Sequence, residues 1–388
     1  MYEPAEDSYL LAEEVKKFAF GKVLDVGTGS GIQAITASKL KSVKSVLAVD
    51  VNGEAVSFLK NKIKKEIKNK KEKKYLKKIK AIKSDLFSNA RGKFDTIIFN
   101  PPYLPFDSRE PEDSRLATTG GKQGYETLQI FLYDLNNHLT KKGFALILFS
   151  SLTNKEKVEG FIEDICFDFE KLSEQKVSFE TLYVYKIKRS KVLNELLGSV
   201  TNIRKYAEGK RGVIYIGRYK NKKIAIKTKR NEVKTETINK EADILKKINK
   251  KRIGPKILFS GNNYFAYEFA EGKHIGEFLE KSSKKEAKNV FLNVLNQCRE
   301  LDKLKITKEE MTNPYKHVII GKKITLIDFE RAHFDSEPQN VTQFCQYLMR
   351  NHNVLNLDKN KLIALAKKYK NVQSGETCEK IRKLVLSS

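Results

Sequence analysis

The chain has 388 residues, enough for two domains that each bury a core. Hydrophobic residues make up 40% of it, no apolar run approaches the ~18 residues of a membrane span, and the amino terminus runs straight into a patterned segment; neither a membrane anchor nor an export signal is expected. The net charge of +27 is of the kind that reports a nucleic-acid partner, but lysine far outnumbers arginine and is spread along the whole chain, which reads as compositional bias. Cys166, Cys298, Cys345 and Cys378 are far apart in sequence and form neither a metal-ligand spacing nor a disulfide framework, so a reducing cytoplasm is the expected home.

In chain order, Tyr2-Glu3-Pro4-Ala5-Glu6-Asp7-Ser8-Tyr9-Leu10-Leu11 predicts by itself only a helix capped at Asp7 or Ser8. Val23-Leu24-Asp25-Val26 is a short apolar strand that runs into Gly27, Gly29 and Gly31 and then into the helical pattern Ile32-Gln33-Ala34-Ile35. Such glycines let backbone approach a ligand, and the turn alone holds a dinucleotide equally well. Asp25, just before it, suits a ligand ammonium better than a pyrophosphate. A second strand, Ser45 to Val49, ends at Asp50, where a carboxylate accepts both hydroxyls of a ribose. A third, Ile79 to Lys83, leads to Asp85, placed for an adenine amine. Singly, each acid reads as a solvated turn residue or helix cap; three at the carboxyl ends of successive strands point to one ligand site. Between the second and third strands, Lys60 to Lys80 holds twelve lysines against two glutamates. It reads as a helix end plus a solvated extension ahead of a weak ribosome or tRNA contact, because no interleaved aromatic platform supports sequence-specific RNA reading.

Phe94 to Phe99 is a fourth apolar strand, and Asn100-Pro101-Pro102-Tyr103 follows it. An amide or exocyclic amine has its lone pair delocalised into a π-system and attacks a methyl sulfonium poorly unless held in line. An Asn side chain and a Pro carbonyl accept both of its N–H bonds and orient it. The first proline keeps Asn100 out of helical geometry, and Tyr103 offers a ring face to a flat group. The tetrapeptide alone is also a strand followed by a Pro-rich turn; with the glycine turn upstream it predicts methylation of a planar nitrogen.

On these motifs, residues 1–189 resemble a class I S-adenosylmethionine-dependent methyltransferase of the HemK/PrmC family, which modifies the glutamine of the Gly-Gly-Gln motif in translation release factors. The opening segment is similar to the archaeal and eukaryotic branch, and Gly120-Gly121-Lys122-Gln123-Gly124 stands where that family has a glycine-rich stretch. The resemblance implies a Rossmann-like α/β domain. It implies that Asn100 and Tyr103, with the Pro101 carbonyl, hold the substrate glutamine, and that Gly27, Gly29, Gly31, Asp50 and Asp85 hold the cofactor. Bacterial members carry a preceding helical docking domain that this chain lacks, so the resemblance points to a small zinc-binding activator subunit as partner. An adenine amine of a nucleic acid is the alternative acceptor, since the same tetrapeptide serves adenine methyltransferases; the lack of a target-recognition domain argues against it.

Strands expected at Lys176 to Phe179 and Leu182 to Ile187 close the first domain, with the boundary inside Ser190 to Val200. Residues 190–388 then open a second pattern. Gly209-Lys210-Arg211-Gly212 is a glycine-rich hairpin, and Lys222 to Lys227 is an alternating strand ending in lysine, an arrangement that covers and bridges phosphates. Glu241, on a predicted helix, is placed to pair with Lys227, and Ile324 to Ile327 is an apolar strand ending in Asp328, an acid suited to magnesium. This half resembles a small α+β protein-kinase-like domain, closest to RIO-type and KEOPS-complex kinases, with Tyr267 to Gly272 as the hinge and ATP with Mg2+ as ligand. Two departures stand out: Lys308-Glu309-Glu310-Met311 replaces the His-x-Asp loop, leaving Glu310 as the base, and His317 stands at the metal-binding Asn. ATP binding is therefore favoured over phosphotransfer, and a regulatory nucleotide sensor is the third reading.

Overall fold

The computed structural model describes residues 3–69, 73–209, 212–229 and 235–388. They form two compact units, Met1–Leu197 and Gly198–Ser388. The first contains α1 (Glu6–Phe18), β1 (Gly21–Val26), α2 (Ile32–Ser38), β2 (Val43–Asp50), α3 (Gly53–Asn69), β3 (Ile79–Lys83), β4 (Phe94–Phe99), α4 (Glu112–Thr118), α5 (Glu126–His138), β5 (Leu139–Ser150), α6 (Lys155–Asp164), β6 (Phe167–Lys176), β7 (Thr181–Arg189) and α7 (Lys191–Leu196).

Its strands make one sheet in the order β3-β2-β1-β4-β5-β7-β6. β1 to β5 pair in parallel and β7 runs antiparallel to both β5 and β6. In β5 the run Phe144 to Ser150 is buried throughout, as a strand covered by helices on both faces requires. This is a Rossmann-like mixed α/β sheet. Its order reverses between β1 and β4, so helices leave in opposite directions there and open a crevice at the carboxyl ends of these two strands.

Three expectations change. β6 ends at Lys176, and 177–180 is a turn: Val177 N–H donates to Glu180 O at 2.9 Å and Phe179 is 95% exposed. The strand signal lay earlier, in Phe167, Phe169 and Leu172. Asp7 and Ser8 do not cap α1; Ala5 holds the N-cap position, and both residues lie buried in the first turn, the Asp7 carboxylate committed to a tertiary contact with Asn100. The lysine tract is not a plain extension, because after α3 a 3-10 turn, Lys74–Lys78, returns the chain to the sheet and buries Leu76; Lys70, Lys71 and Glu72 lie outside the described residues. α7 buries Leu193 and Leu196, and the first unit ends at Leu197, within the Ser190 to Val200 segment.

The second unit contains β8 (Val200–Glu208), β9 (Gly212–Tyr219), β10 (Lys222–Lys229), α8 (Thr235–Asn249), β11 (Ile257–Ser260), β12 (Tyr264–Glu268), β13 (Lys273–His274), α9 (Ile275–Leu279), α10 (Lys284–Lys303), β14 (Ile306–Thr307), β15 (Val318–Ile320), β16 (Ile324–Leu326), β17 (His333–Phe334), α11 (Asn340–Arg350), α12 (His352–Leu355), α13 (Lys359–Asn371) and α14 (Gly375–Ser387). An antiparallel sheet, β11-β12-β10-β9-β8, precedes a helical part whose core includes Phe291, Phe344, Tyr347 and Tyr369. α8 turns Ile238, Ala242, Leu245 and Ile248 into the same core. Among the described residues no helix is long and apolar enough to cross a membrane.

Candidate active site

The crevice of the first unit is a cavity of about 970 Å3 at the carboxyl ends of β1, β2 and β4. β1 delivers Asp25 and then the glycine turn. Gly27, Gly29 and Gly31 have φ of 62°, 49° and 81°, so all three sit in the left-handed region that favours glycine. At Gly31 a Cβ would also run into the Leu59 side chain.

Asp25 is 1% exposed; its Oδ2 accepts from Thr28 Oγ1 at 2.6 Å and from the Ala34 N–H at 3.0 Å. Burial pushes its carboxyl up to about 7, against those two hydrogen bonds and with the nearby Asp50 adding to the rise. Asp50 does more than end β2. Its Oδ2 accepts the Gly29 N–H at 2.8 Å and its Oδ1 the Asn52 N–H at 2.9 Å, so this acid also fixes the turn. Asp85 is exposed at the cavity edge, beside Leu86 with φ 43°.

β4 delivers Asn100. Its Nδ2 donates to Asp7 Oδ2 at 2.8 Å, while its Oδ1 is shut off from solvent and has no hydrogen-bond partner among the described residues. Pro101 and Tyr103 line the cavity next to it. The loop after Tyr103 folds back: Leu104 N–H donates to Thr118 O at 2.8 Å, and Gly120 N–H to Leu104 O at 2.9 Å. A Cβ on Gly120 would run into the Pro102 and Gly124 carbonyl oxygens, so the glycine-rich stretch is needed where two backbones touch. Sequence reading missed Asp7 as a site residue because a first-turn acid looks like a cap; its burial is a tertiary property. Glu180 was missed as well; it lines the cavity from the β6–β7 turn, with a shielded Oε2 that has no partner among the described residues.

In the second unit Lys227, on β10, stands 2.7 Å from Glu241 on α8, and 3.3 Å from both Asp328 and Glu330. Burial of the ammonium works against its charge, but these carboxylates outweigh it and hold Lys227 protonated. Asp328 has φ 59°, a strained conformation for a non-glycine residue. Lys308 is fully buried and donates from Nζ to the Asp328 carbonyl at 2.7 Å and to Glu310 at 3.3 Å. Burial raises the Glu310 carboxyl despite Lys308. His317 Nδ1 is 4.0 Å from Asp328, and burial and then Lys308 push its imidazole down to about 4, so it is neutral near pH 7. No group of three His, Cys, Asp or Glu side chains among the described residues is placed to hold a metal. Gly209 N–H donates to Gly212 O at 2.9 Å across the hairpin; Lys210 and Arg211 lie outside the described residues. Cys298, Cys345 and Cys378, distant in sequence, come together in the core of this unit, where burial raises each thiol and keeps it protonated.

Residues 5–165 match the family described as Methyltransferase small domain. The chain is 41% identical over 186 residues to a protein of Methanocaldococcus jannaschii named as a protein N5-glutamine methyltransferase, which covers 47% of this chain and 89% of that one. It is 30% identical over 132 residues to a ribosomal protein uL3 glutamine methyltransferase of Francisella tularensis (32% and 40% covered). It is 31% identical over 141 residues to a release factor glutamine methyltransferase of Lactococcus lactis (34% and 48% covered), so the chain spans less than half the length of these two bacterial relatives. Among solved structures, the E. cuniculi Mtq2–Trm112 complex aligns at 26% identity and a TM-score of 0.36, covering 49% of this chain and 98% of that one. Sheet order, glycine turn and family match define a Rossmann-like methyltransferase domain. More narrowly, the chain belongs to the family of protein N5-glutamine methyltransferases, enzymes dependent on S-adenosylmethionine.

Proposed function

We propose that the first unit methylates the side-chain amide of a glutamine in the Gly-Gly-Gln motif of a translation release factor. The observation that carries this is Asn100, a cavity-lining residue whose Nδ2 is anchored while its shielded Oδ1 has no partner among the described residues. A primary amide brings two N–H groups; Asn100 Oδ1 and the Pro101 carbonyl are acceptors for them, and Tyr103 offers a ring beside the flat group. The cavity suits the cofactor: the glycine turn brings backbone N–H groups close, and Asp25 and Asp50 offer carboxylates for an ammonium and for ribose hydroxyls. When bound, S-adenosylmethionine supplies an electrophilic methyl group. The residues then hold the amide in line, exclude water and accept hydrogen bonds that strengthen as the nitrogen becomes positive, so no strong base is needed until its proton leaves.

The M. jannaschii relative supports a glutamine acceptor, and the Lactococcus relative a release factor as its carrier. A small zinc-binding activator subunit belongs to the same reading, on the resemblance of residues 2–11. Four free, buried cysteines fit a cytoplasmic setting. The test incubates the protein with S-adenosylmethionine, a release factor and a tRNA pool. Methyl transfer to the glutamine is expected, and Asn100→Ala should lower it by at least ~100-fold through lost alignment while cofactor affinity stays within a few-fold. Methylated adenine with an unmodified release factor overturns the assignment.

A second reading concerns the other unit, which we propose binds ATP with Mg2+. Its support is the buried Lys227–Glu241 pair beside the strained Asp328, next to the Gly209–Gly212 hairpin. Lys227 would hold the phosphates, and Asp328 with His317 the metal. Glu310 would act as the base, and with Lys308 at 3.3 Å it is engaged already, which favours nucleotide binding over transfer.

A further inference from the structure

The opening motif contributes a residue that the amide-clamp reading has not used. Asp7 is 4% exposed, and both its oxygens accept from donors in the chain: Oδ1 from the Ser8 N–H, Oδ2 from Asn100 Nδ2 at 2.8 Å. Ser8 is in turn held by the helix that follows the glycine turn, since Gln33 Nε2 donates to Ser8 O at 2.8 Å. The amide of Asn100 has two faces of nearly identical shape, one donor and one acceptor, and packing alone does not tell them apart. A carboxylate does, because it only accepts. With Nδ2 turned to Asp7, Oδ1 is left on the other branch of the amide, shielded from solvent and without a partner among the described residues, on a residue that lines the cavity.

We infer that Asp7 is a positioning residue for methyl transfer: it fixes the amide of Asn100 with its oxygen toward the acceptor and, through its negative charge, makes that oxygen a stronger hydrogen-bond acceptor. The inference rests on the glutamine reading for its substrate, though the Asp7–Asn100 couple itself does not. A charged partner on the N–H side of an amide draws the proton and enriches the carbonyl oxygen, the usual cooperativity of linked hydrogen bonds. The acceptor nitrogen is neutral when it binds and positive as the methyl group arrives. A richer Oδ1 therefore counts most in the transition state, so the effect falls on kcat more than on KM. An uncharged isostere does not serve, because an Asn at position 7 has one oxygen for two donors and must turn its NH2 toward either Ser8 or Asn100.

The test compares the full chain with Asp7→Asn and Asp7→Glu, using a peptide that carries Gly-Gly-Gln and the Asn side-chain 15N resonances, with Asn100 assigned from the signal missing in Asn100→Ala. Asp7→Asn is expected to lower kcat about tenfold or more, with peptide KM within about threefold and S-adenosylmethionine Kd within about twofold. The Asn100 side-chain amide should move upfield in Asp7→Asn as its bond to a carboxylate is lost. Asp7→Glu, which keeps an acceptor-only group, should recover part of kcat. An unmoved Asn100 resonance, or kcat loss matched by an equal loss of cofactor affinity, overturns the role. If the wild type methylates no glutamine peptide, the substrate reading fails separately, and the resonance shift alone decides the Asp7–Asn100 couple.

Discussion

Asp25 is the residue whose surroundings most change its chemistry. Its folded carboxyl lies at about 7 against an ordinary aspartate value of 3.8, with burial as the main cause. A raised acid binds its proton more tightly in the folded state, so its contribution to stability is fully present below about pH 4 and is lost as pH rises through about 7. That span of roughly three pH units corresponds to about 4 kcal/mol. If Asp25 receives a ligand ammonium, binding must eject the proton. Cofactor affinity is then expected to rise by up to about tenfold per pH unit between pH 5.5 and 7 and to level off above, while Asp25→Asn flattens the profile. Calorimetry in two buffers of different ionisation enthalpy reads the released proton directly; a flat affinity profile for the wild type sinks the idea. At this scale the sequence was legible for the placement of Asn100, Asp50 and the glycine turn, which the structure gathers around one cavity at strand ends. It was not legible for Asp7, Glu180 or Lys308, because what distinguishes them is burial and a partner 93 residues away for Asp7 and 20 for Lys308.

Among the elements, the strands that carry the site were readable because each is a short apolar run bounded by turn residues: Ile79–Lys83 and Phe94–Phe99 stand as read. β6 was not, since seven of its ten residues are polar, on an edge strand, and the apolar pair Val177 and Phe179 drew the strand past its end. The loop from Leu104 to Glu126 offered no periodicity, only glycines, and its meaning is contact between backbones. Gly120 lies against the carbonyls of Pro102 and Gly124, at the back of the tetrapeptide that carries Asn100. Gly120→Ala must push these strands of chain apart. It should cut methyl transfer by about 100-fold, since a 1 Å misplacement suffices, while cofactor affinity, set by the turn on β1, stays within a few-fold. Equal activity in Gly120→Ala would show that the loop tolerates the shift.

For the whole molecule, length alone separated two units, and the charge of +27 stayed uninformative because lysines cover both. The second unit's site is decided by how its charges add. Lys227 faces Glu241, Asp328 and Glu330, and Lys308 faces Glu310, so two cations meet four carboxylates. Such an excess of negative charge disfavours bare phosphate; if the unit binds ATP with Mg2+ as proposed, Glu241 would anchor the lysine and Asp328 would hold the metal, while Glu330 would compete with phosphate for the same ammonium. Two variants separate these roles. Lys227→Ala leaves Glu241 buried without its counter-ion, which costs about 3–5 kcal/mol, so its melting point falls with or without nucleotide, and the informative quantity is the ATP-dependent increment, expected to vanish. Glu330→Gln removes the competing charge while keeping the side-chain length, and ATP with Mg2+ should then bind several-fold more tightly and raise Tm further at a fixed concentration, by the mass action of a ligand that binds the folded state. Weaker nucleotide binding in Glu330→Gln would mean that Glu330 is itself a metal ligand, and no ATP-dependent shift in the wild type or either variant overturns the nucleotide-binding proposal for this unit.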